Sequence, residues 1–107
     1  MDRLQQLFSF LEADPNDPFT LYAIATEYRA RGEKEQALSF YEKVHTQHPD
    51  YVATYYHLAH LYIELENSEK AEAIFKEGIE RCTQLKEAHA LSELQNAYNN
   101  FLFDDLI

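Results

Sequence analysis

Residues 18–51 read PFTLYAIATEYRARGEKEQALSFYEKVHTQHPDY, and residues 52–85 read VATYYHLAHLYIELENSEKAEAIFKEGIERCTQL. The two stretches share the order of their apolar, small and aromatic positions at an offset of 34 residues. The shared positions are Leu21, Ile24, Ala25, Tyr28, Ala37 and Tyr41 in the first stretch, and Tyr55, Leu58, Ala59, Tyr62, Ala71 and Phe75 in the second. A fixed period of this length, with apolar residues at helical spacing, predicts a helical repeat array.

Turn signals divide the chain into six predicted helices. Asp17 is a good N-cap and is followed by Pro18, which suits the first helical position. Gly32 suits a left-handed residue after a helix end. In the second copy, Asn67 is expected to take the left-handed turn and Ser68 to cap the next helix. The predicted helices cover residues 3–13, 18–31, 34–47, 52–65, 69–82 and 86–103.

The charge balance limits the class of partner. The chain carries 19 acidic and 9 basic residues, a formal net charge of -10. Such a field repels phosphate backbones and anionic lipid headgroups, so neither nucleic-acid nor membrane binding is expected. The single cysteine, Cys82, excludes an internal disulfide and fits a reducing compartment. Without a bilayer-length apolar run, and with a start that does not resemble a signal sequence, we expect a cytoplasmic protein.

The repeated spacing resembles the tetratricopeptide repeat, a 34-residue pattern of large, Leu, small and Tyr positions followed by Ala, Phe and Pro. Val44 at a small-residue position and Thr83 at the proline position depart from it. The resemblance implies an all-α solenoid of antiparallel helix pairs, with residues 1–107 forming one domain. Its expected parts are a half-repeat helix at 3–15, repeats at 18–51 and 52–85, and a capping helix at 86–103.

Small and bulky residues at the repeated positions have separate packing roles in this pattern. Small side chains let the two helices of a pair approach closely, and bulky ones fill the space between pairs. The small residues are Ala25, Ala37, Ala59 and Ala71, and the bulky ones are Tyr28, Tyr41, Tyr62 and Phe75. All eight are predicted to belong to the core.

The resemblance also implies a concave groove that accepts a peptide or a partner helix, lined by the first helix of each pair. A solvated face that binds no ligand is the alternative. Relatives that capture chaperone tails use a Lys and an Asn where this chain has Tyr22 and Thr26, so that mechanism is disfavoured. The candidate groove residues are Phe19, Tyr22, Thr26, Arg29, Ala53, Tyr56, His60, Ile63 and Glu64, with His89, Ser92, Asn96 and Asn99 if the last helix forms a third wall.

Metal binding and catalysis have little support in the sequence. His57, His60 and Glu64 share roughly one side of a helix and could ligate a divalent ion, but no fourth ligand is evident. The chain has no Gly-rich phosphate loop, and Cys82 lies near a helix end rather than a start that would activate it. We therefore expect a protein without metal, cofactor or enzymatic activity.

Three hypotheses for function follow. The leading one is a non-catalytic interaction module that binds a protein or peptide in the groove. The second is a self-associating module, monomeric or weakly dimeric, that uses the apolar C-terminal segment 101–107, which reads FLFDDLI. The third, and weakest, is a metal-dependent module built on His57, His60 and Glu64.

Overall fold

Six α-helices make up the described part of the chain. The computed structural model describes residues 2–106, with side chains through Asp104. No strand occurs within residues 2–106, so the predicted all-α helical-repeat class is confirmed. The helices form two compact units, Met1–Tyr51 and Val52–Ile107, which we call the N-terminal and C-terminal units. Their bounds are α1 Arg3–Ala13, α2 Pro18–Ala30, α3 Lys34–Gln47, α4 Ala53–Glu64, α5 Ser68–Leu85 and α6 Ala88–Leu106.

Two aspartates cap the first two helices of the N-terminal unit. Asp2 and Gln5 form a reciprocal capping box, in which each side chain accepts a hydrogen bond from the other's backbone N–H. At α2, the Asp17 Oδ2 accepts from the Thr20 backbone N–H at 3.0 Å and from the Thr20 hydroxyl at 2.6 Å. Because Pro18 follows as the first helical residue, the predicted start of this helix is confirmed.

The core of the N-terminal unit lies where α1 and α2 meet. Leu4, Leu7, Ala23 and Ile24 form its buried centre. The connection between α2 and α3 is only three residues long, which makes these helices an antiparallel pair. The predicted core positions Ala25, Ala37 and Tyr41 have no exposed surface. Tyr28 is only half-buried, in a group of partly buried residues packed on the core: Phe8, Leu11, Tyr28 and Phe40.

The Asp17 cap leads to a stability prediction that depends on pH. Its hydrogen bonds from the Thr20 hydroxyl, and then from backbone N–H groups, hold the pKa of Asp17 below its usual value. The stabilisation is therefore present above the unfolded-state pKa near 3.8 and is lost as pH falls through the lower folded-state pKa. Replacing Asp17 by alanine should cost about 0.5–2 kcal/mol at pH 7 and less at pH 2.5. Urea denaturation at both pH values measures this, with the exposed Asp14→Ala as control; an equal loss at both would contradict the assignment.

Three helix ends close by the same backbone arrangement. A residue with positive φ follows each helix, and the next N–H donates to the carbonyl five residues earlier. This is the six-to-one hydrogen bond of a Schellman motif. The positive-φ residues are Gly32 at 78°, Glu66 at 60° and Lys86 at 59°. The predicted left-handed role of Gly32 is confirmed, and two side-chain-bearing residues adopt the same conformation.

The prediction for the turn between α4 and α5 was wrong by one residue. Glu66, not Asn67, takes the left-handed conformation, because it occupies the place of Gly32 in the repeat. Asn67 is the N-cap instead, and its Oδ1 accepts from the Lys70 backbone N–H at 3.2 Å. Ser68, predicted to be the cap, is the first residue of α5.

The boundary between α5 and α6 also differs from the prediction. The helix predicted to end at Cys82 continues to Leu85. Thr83 stands where the first repeat has Pro49, so the backbone N–H that proline lacks is present and the helix can continue. α6 accordingly begins at Ala88 rather than at residue 86, and it extends to Leu106 rather than to 103.

Gly78 lies in close contact with α4 and α6 in the C-terminal unit. A Cβ atom at this position would lie 2.7 Å from Tyr55 Cβ on α4 and 3.0 Å from Leu94 Cδ1 on α6. Both neighbours are essentially unexposed, so neither side chain has room to withdraw. The predicted core positions of this unit, Ala59, Tyr62, Ala71 and Phe75, are buried, and so are the repeated positions Tyr55 and Leu58.

An aromatic cluster centred on Phe75 joins α4, α5 and α6. The Phe75 ring lies 5.6 Å from the rings of both Tyr98 and Phe101 on α6, and 5.9 Å from the His60 ring on α4. Phe75 itself has no exposed surface. Its position is therefore coupled to residues of both helices that border it.

Candidate functional site

A groove on the C-terminal unit is lined by residues of its three helices. It has a volume of about 580 Å³ and is open to solvent. α4 and α6 supply nearly all of its lining, and Ser68 adds the start of α5. The lining residues are Tyr56, His60, Ile63, Ser68, Glu93, Asn96, Ala97, Asn100, Phe101 and Asp104.

α4 contributes an aromatic and apolar wall. Tyr56, His60 and Ile63 are spaced by four and three residues, which places them on one face of the helix. The Tyr56 and His60 rings meet edge to face with centroids 4.4 Å apart, and His60 packs in the same manner on the buried Phe75. This support from the core restricts the rings, so the wall is preorganised to receive apolar groups.

α6 contributes a wall with small and polar residues. Five residues of α6 line this wall, at spacings of one, three or four residues along the helix: Glu93, Asn96, Ala97, Asn100 and Asp104. Ala97 leaves space at the centre of this wall, and the asparagine amides on either side can each donate and accept hydrogen bonds. The groove thus combines an apolar surface with polar groups able to orient a ligand.

The groove is electronegative. Among the described residues that line it, Glu93 and Asp104 are the ones with a fixed charge, and both are exposed. Neither α4 nor α6 contains a lysine or arginine. The Nε2 atom of His89 lies 3.4 Å from Glu93 Oε1, but that imidazole is 92% exposed and water screens the pair.

Four of the predicted groove residues meet in this groove, and the others do not line it. Tyr56, His60, Ile63 and Asn96 are brought together. Asn99 is exposed and does not line the groove, although its neighbour Asn100 does. The other residues of the C-terminal unit that were predicted but do not line the groove are Ala53, Glu64, His89 and Ser92.

Six residues that line the groove were not predicted from the sequence, and five of them lie on α6. Leu91, Leu94, Tyr98 and Phe101 form an apolar stripe along this helix. The stripe indicates which side of α6 is buried, but the edge of the groove depends on how α6 packs on α4. The missed residues are Ser68, Glu93, Ala97, Asn100, Phe101 and Asp104.

The predicted groove residues of the N-terminal unit lie along α2. Phe19 is 63% exposed, and Arg29 is half-buried. The Tyr22 ring packs against the rings of Tyr41 and Tyr51 at 5.9 and 5.6 Å. Burial, and then these two neighbouring phenols, raise the pKa of Tyr22, which keeps its hydroxyl neutral.

Thr26, the fourth predicted residue on α2, forms two hydrogen bonds within the N-terminal unit. Its hydroxyl donates to the Tyr22 carbonyl at 3.0 Å and lies 2.9 Å from the Tyr41 hydroxyl. A smaller cavity of about 410 Å³ occurs elsewhere in this unit, and none of the four predicted α2 residues lines it. Its lining is Pro18, Gln47, His48, Pro49, Asp50 and Tyr51.

The described residues include no metal-binding group, and their one cysteine is buried. Within residues 2–106, no three His, Cys, Asp or Glu side chains are grouped closely enough to hold a metal ion. His57, His60 and Glu64 therefore do not form such a group. Cys82 is buried, and burial followed by the nearby Glu87 carboxylate raises the pKa of its thiol. The thiol is therefore held in its less nucleophilic protonated form.

Tyr55 makes the C-terminal unit sensitive to alkali. Burial, and then the Glu77 carboxylate, raise the pKa of Tyr55 to about 12. Because the folded state keeps this proton longer than the unfolded state, the stabilisation is complete below pH 10 and is lost as pH rises towards 12. In urea denaturation over this range, Tyr55→Phe should lose stability less steeply than the wild type. Tyr56→Phe is the control, and identical slopes for wild type and Tyr55→Phe would contradict the assignment.

No helix among the described residues combines the length and apolar character needed to cross a membrane.

Comparisons with known proteins agree with the repeat architecture. The family model described as "Tetratricopeptide repeat" matches residues 28–94, more than half of the chain. No curated protein matches the chain in sequence. The crystal structure of MamA matches with a TM-score of 0.66 over 95% of this chain and 66% of that chain, and at 15% identity it shows the fold alone.

Two structures of tetratricopeptide repeat domain proteins from Salinibacter ruber are more similar in sequence. A crystal structure is 39% identical, with a TM-score of 0.76, and the match covers 79% of this chain and 94% of that chain. A solution NMR structure is 40% identical, with a TM-score of 0.78, and the match covers 82% of this chain and 89% of that chain. With this identity over most of both chains, and with two repeats that carry the pattern, the protein belongs to the tetratricopeptide repeat family.

Proposed function

We propose that the protein is a non-catalytic interaction module that binds a peptide segment of another protein in the groove between α4 and α6. Tetratricopeptide repeats generally mediate protein–protein interaction, which supports the class of function. The observation that carries the proposal is the groove itself, where the aromatic wall of Tyr56 and His60 faces the asparagine amides of α6. Apolar walls with a few oriented polar groups are typical of ligand sites.

The α2 residues are proposed as a second contact region on the N-terminal unit. Phe19 offers an exposed ring, and Arg29 offers a cation. Tyr22 and Thr26 are held by contacts within their unit, so they present a fixed surface to a partner.

Selection of binding peptides tests the proposed function. A random nine-residue library displayed on phage is selected against the whole protein, and enriched peptides are remeasured with variants. Tyr56→Ala and Asn100→Ala should each weaken binding about tenfold or more, because both residues line the groove. Phe10→Ala removes a ring that is 61% exposed on α1 and should leave binding unchanged. Peptides that bind all three variants equally would overturn the assignment.

Self-association through the C-terminal segment is the second candidate. Phe103 is 64% exposed and Leu102 is 36% exposed, whereas Phe101 packs on Phe75 and Tyr98. Ile107 lies outside the described residues, as do the side chains of residues 105 and 106. Light scattering of the full chain and of a chain ending after Phe101 tests this proposal. A concentration-dependent dimer that the truncation abolishes would support it, and a monomer in both cases would overturn it.

A further inference from the structure

The two carboxylates of the groove lie on one face of α6, about three helical turns apart. Glu93 and Asp104 are eleven residues apart, which is close to three full helical turns, so their side chains leave α6 in nearly the same direction. At 1.5 Å per residue, their backbone positions are about 16 Å apart along the helix axis. Asn96, Ala97 and Asn100 lie between them on the groove wall. A ligand in the groove therefore meets a carboxylate at each end and amides between them.

The length between the two carboxylates fits a short extended chain. Residues four positions apart in such a chain point to the same face and lie about 13 Å apart at roughly 3.3 Å per residue. Long basic side chains at these two positions can cover the remaining few ångströms.

The asparagine spacing fits the same type of ligand. Asn96 and Asn100 are four residues apart, so their backbone positions are about 6 Å apart along α6. An extended chain repeats its outward-facing backbone groups every second residue, about 6.6 Å. Two side-chain amides at this separation can therefore form hydrogen bonds with successive outward-facing backbone groups of an extended chain. In a helix, by contrast, the backbone groups are already hydrogen-bonded to one another.

From these observations we infer that the groove selects an extended segment carrying two basic residues four positions apart, which places both on one face of the segment, with apolar side chains between them. The basic residues pair with Glu93 and Asp104, and the apolar side chains lie on Tyr56 and Ile63. Arginine fits best because its guanidinium binds a carboxylate through two hydrogen bonds. The net charge of -10 attracts such a segment from a distance. This inference rests on the proposed function and specifies the chemistry of the partner.

Calorimetry with three blocked nine-residue peptides tests the inference. The spaced peptide has arginine at its second and sixth positions, leucine and phenylalanine between them, and serine elsewhere. The adjacent peptide has the same composition with arginine at its fourth and fifth positions. The glutamine peptide replaces both arginines of the spaced peptide. In 50 mM salt, the spaced peptide should bind about three- to tenfold more tightly than the other two, and 0.5 M salt should remove this advantage.

Matched charge variants of the protein test whether the preference for the spaced peptide depends on Glu93 and Asp104. Glu93→Gln combined with Asp104→Asn should remove the preference for the spaced peptide. Glu12→Gln combined with Glu35→Gln makes the same change in net charge at exposed sites of the N-terminal unit and should retain it. Equal binding of all three peptides, or an equal loss in both double variants, would overturn the inference and leave the proposed function standing. Failure of all three peptides to bind at millimolar concentration would overturn both.

Discussion

Phe75→Ala is expected to destabilise the protein by about 3–5 kcal/mol, the range for removing a fully buried aromatic side chain. Phe75 has no exposed surface, and its ring contacts those of His60, Tyr98 and Phe101. The cavity would remove support from three helices at once. Since domains are typically stable by only about 5–15 kcal/mol, the midpoint of urea denaturation should fall strongly.

The same substitution should weaken the groove, because His60 and Phe101 both line it and both pack on Phe75. Phe10→Ala is the matched control. It removes the same side chain from a position that is 61% exposed, and its effect should be within about 0.5 kcal/mol. Equal stabilities of the two variants would contradict the central place of Phe75 in the packing of α4, α5 and α6.

Gly78→Val is expected to cost about 3 kcal/mol through steric overlap. Even the Cβ atom would lie 2.7 Å from Tyr55 Cβ and 2.8 Å from Tyr55 Cγ, and the two further methyl groups need additional space. Val44 occupies the corresponding position of the first repeat with no exposed surface, so valine is acceptable there. The difference shows that the two repeats pack this position in different ways.

A control on the same helix separates steric overlap from helix propensity. Ala73 is exposed on α5, and Ala73→Val introduces the same β-branched side chain without a close neighbour to displace. Its cost should stay near the intrinsic propensity difference, about 0.6 kcal/mol. Denaturation midpoints that fall equally for Gly78→Val and Ala73→Val would contradict the close approach of α4, α5 and α6.

Helix positions could be predicted because the repeat encodes them locally. Asp17, Pro18 and Gly32 act on the backbone within a few residues, and each has the role predicted for it. Glu66 could not be recognised as the left-handed residue from its own preference. It adopts φ 60° because the backbone bond from the Asn67 N–H to the Tyr62 carbonyl closes the helix as in the first repeat. Here the repeat register outweighs local propensity.

The α4 wall of the candidate groove could be predicted, whereas on α6 only Asn96 was predicted correctly. Tyr56, His60 and Ile63 occupy repeat positions whose direction the pattern defines. α6 follows the second repeat and has no repeated partner to define its rotation. Its groove face is set by the packing of Leu94 against Gly78 and of Phe101 against Phe75. Asn99 was therefore predicted in place of its neighbour Asn100.

Mapping of the bound peptide by NMR determines whether it binds in the groove between α4 and α6. The ¹⁵N-labelled whole protein is titrated with the spaced peptide, and changes in backbone amide chemical shift are assigned along the chain. The largest chemical-shift changes are expected at the α4 and α6 residues around Tyr56, His60, Asn96 and Asn100. These changes should saturate at the same peptide concentration. Saturating changes confined to α1 and α3, with α4 and α6 unperturbed, would contradict binding in this groove.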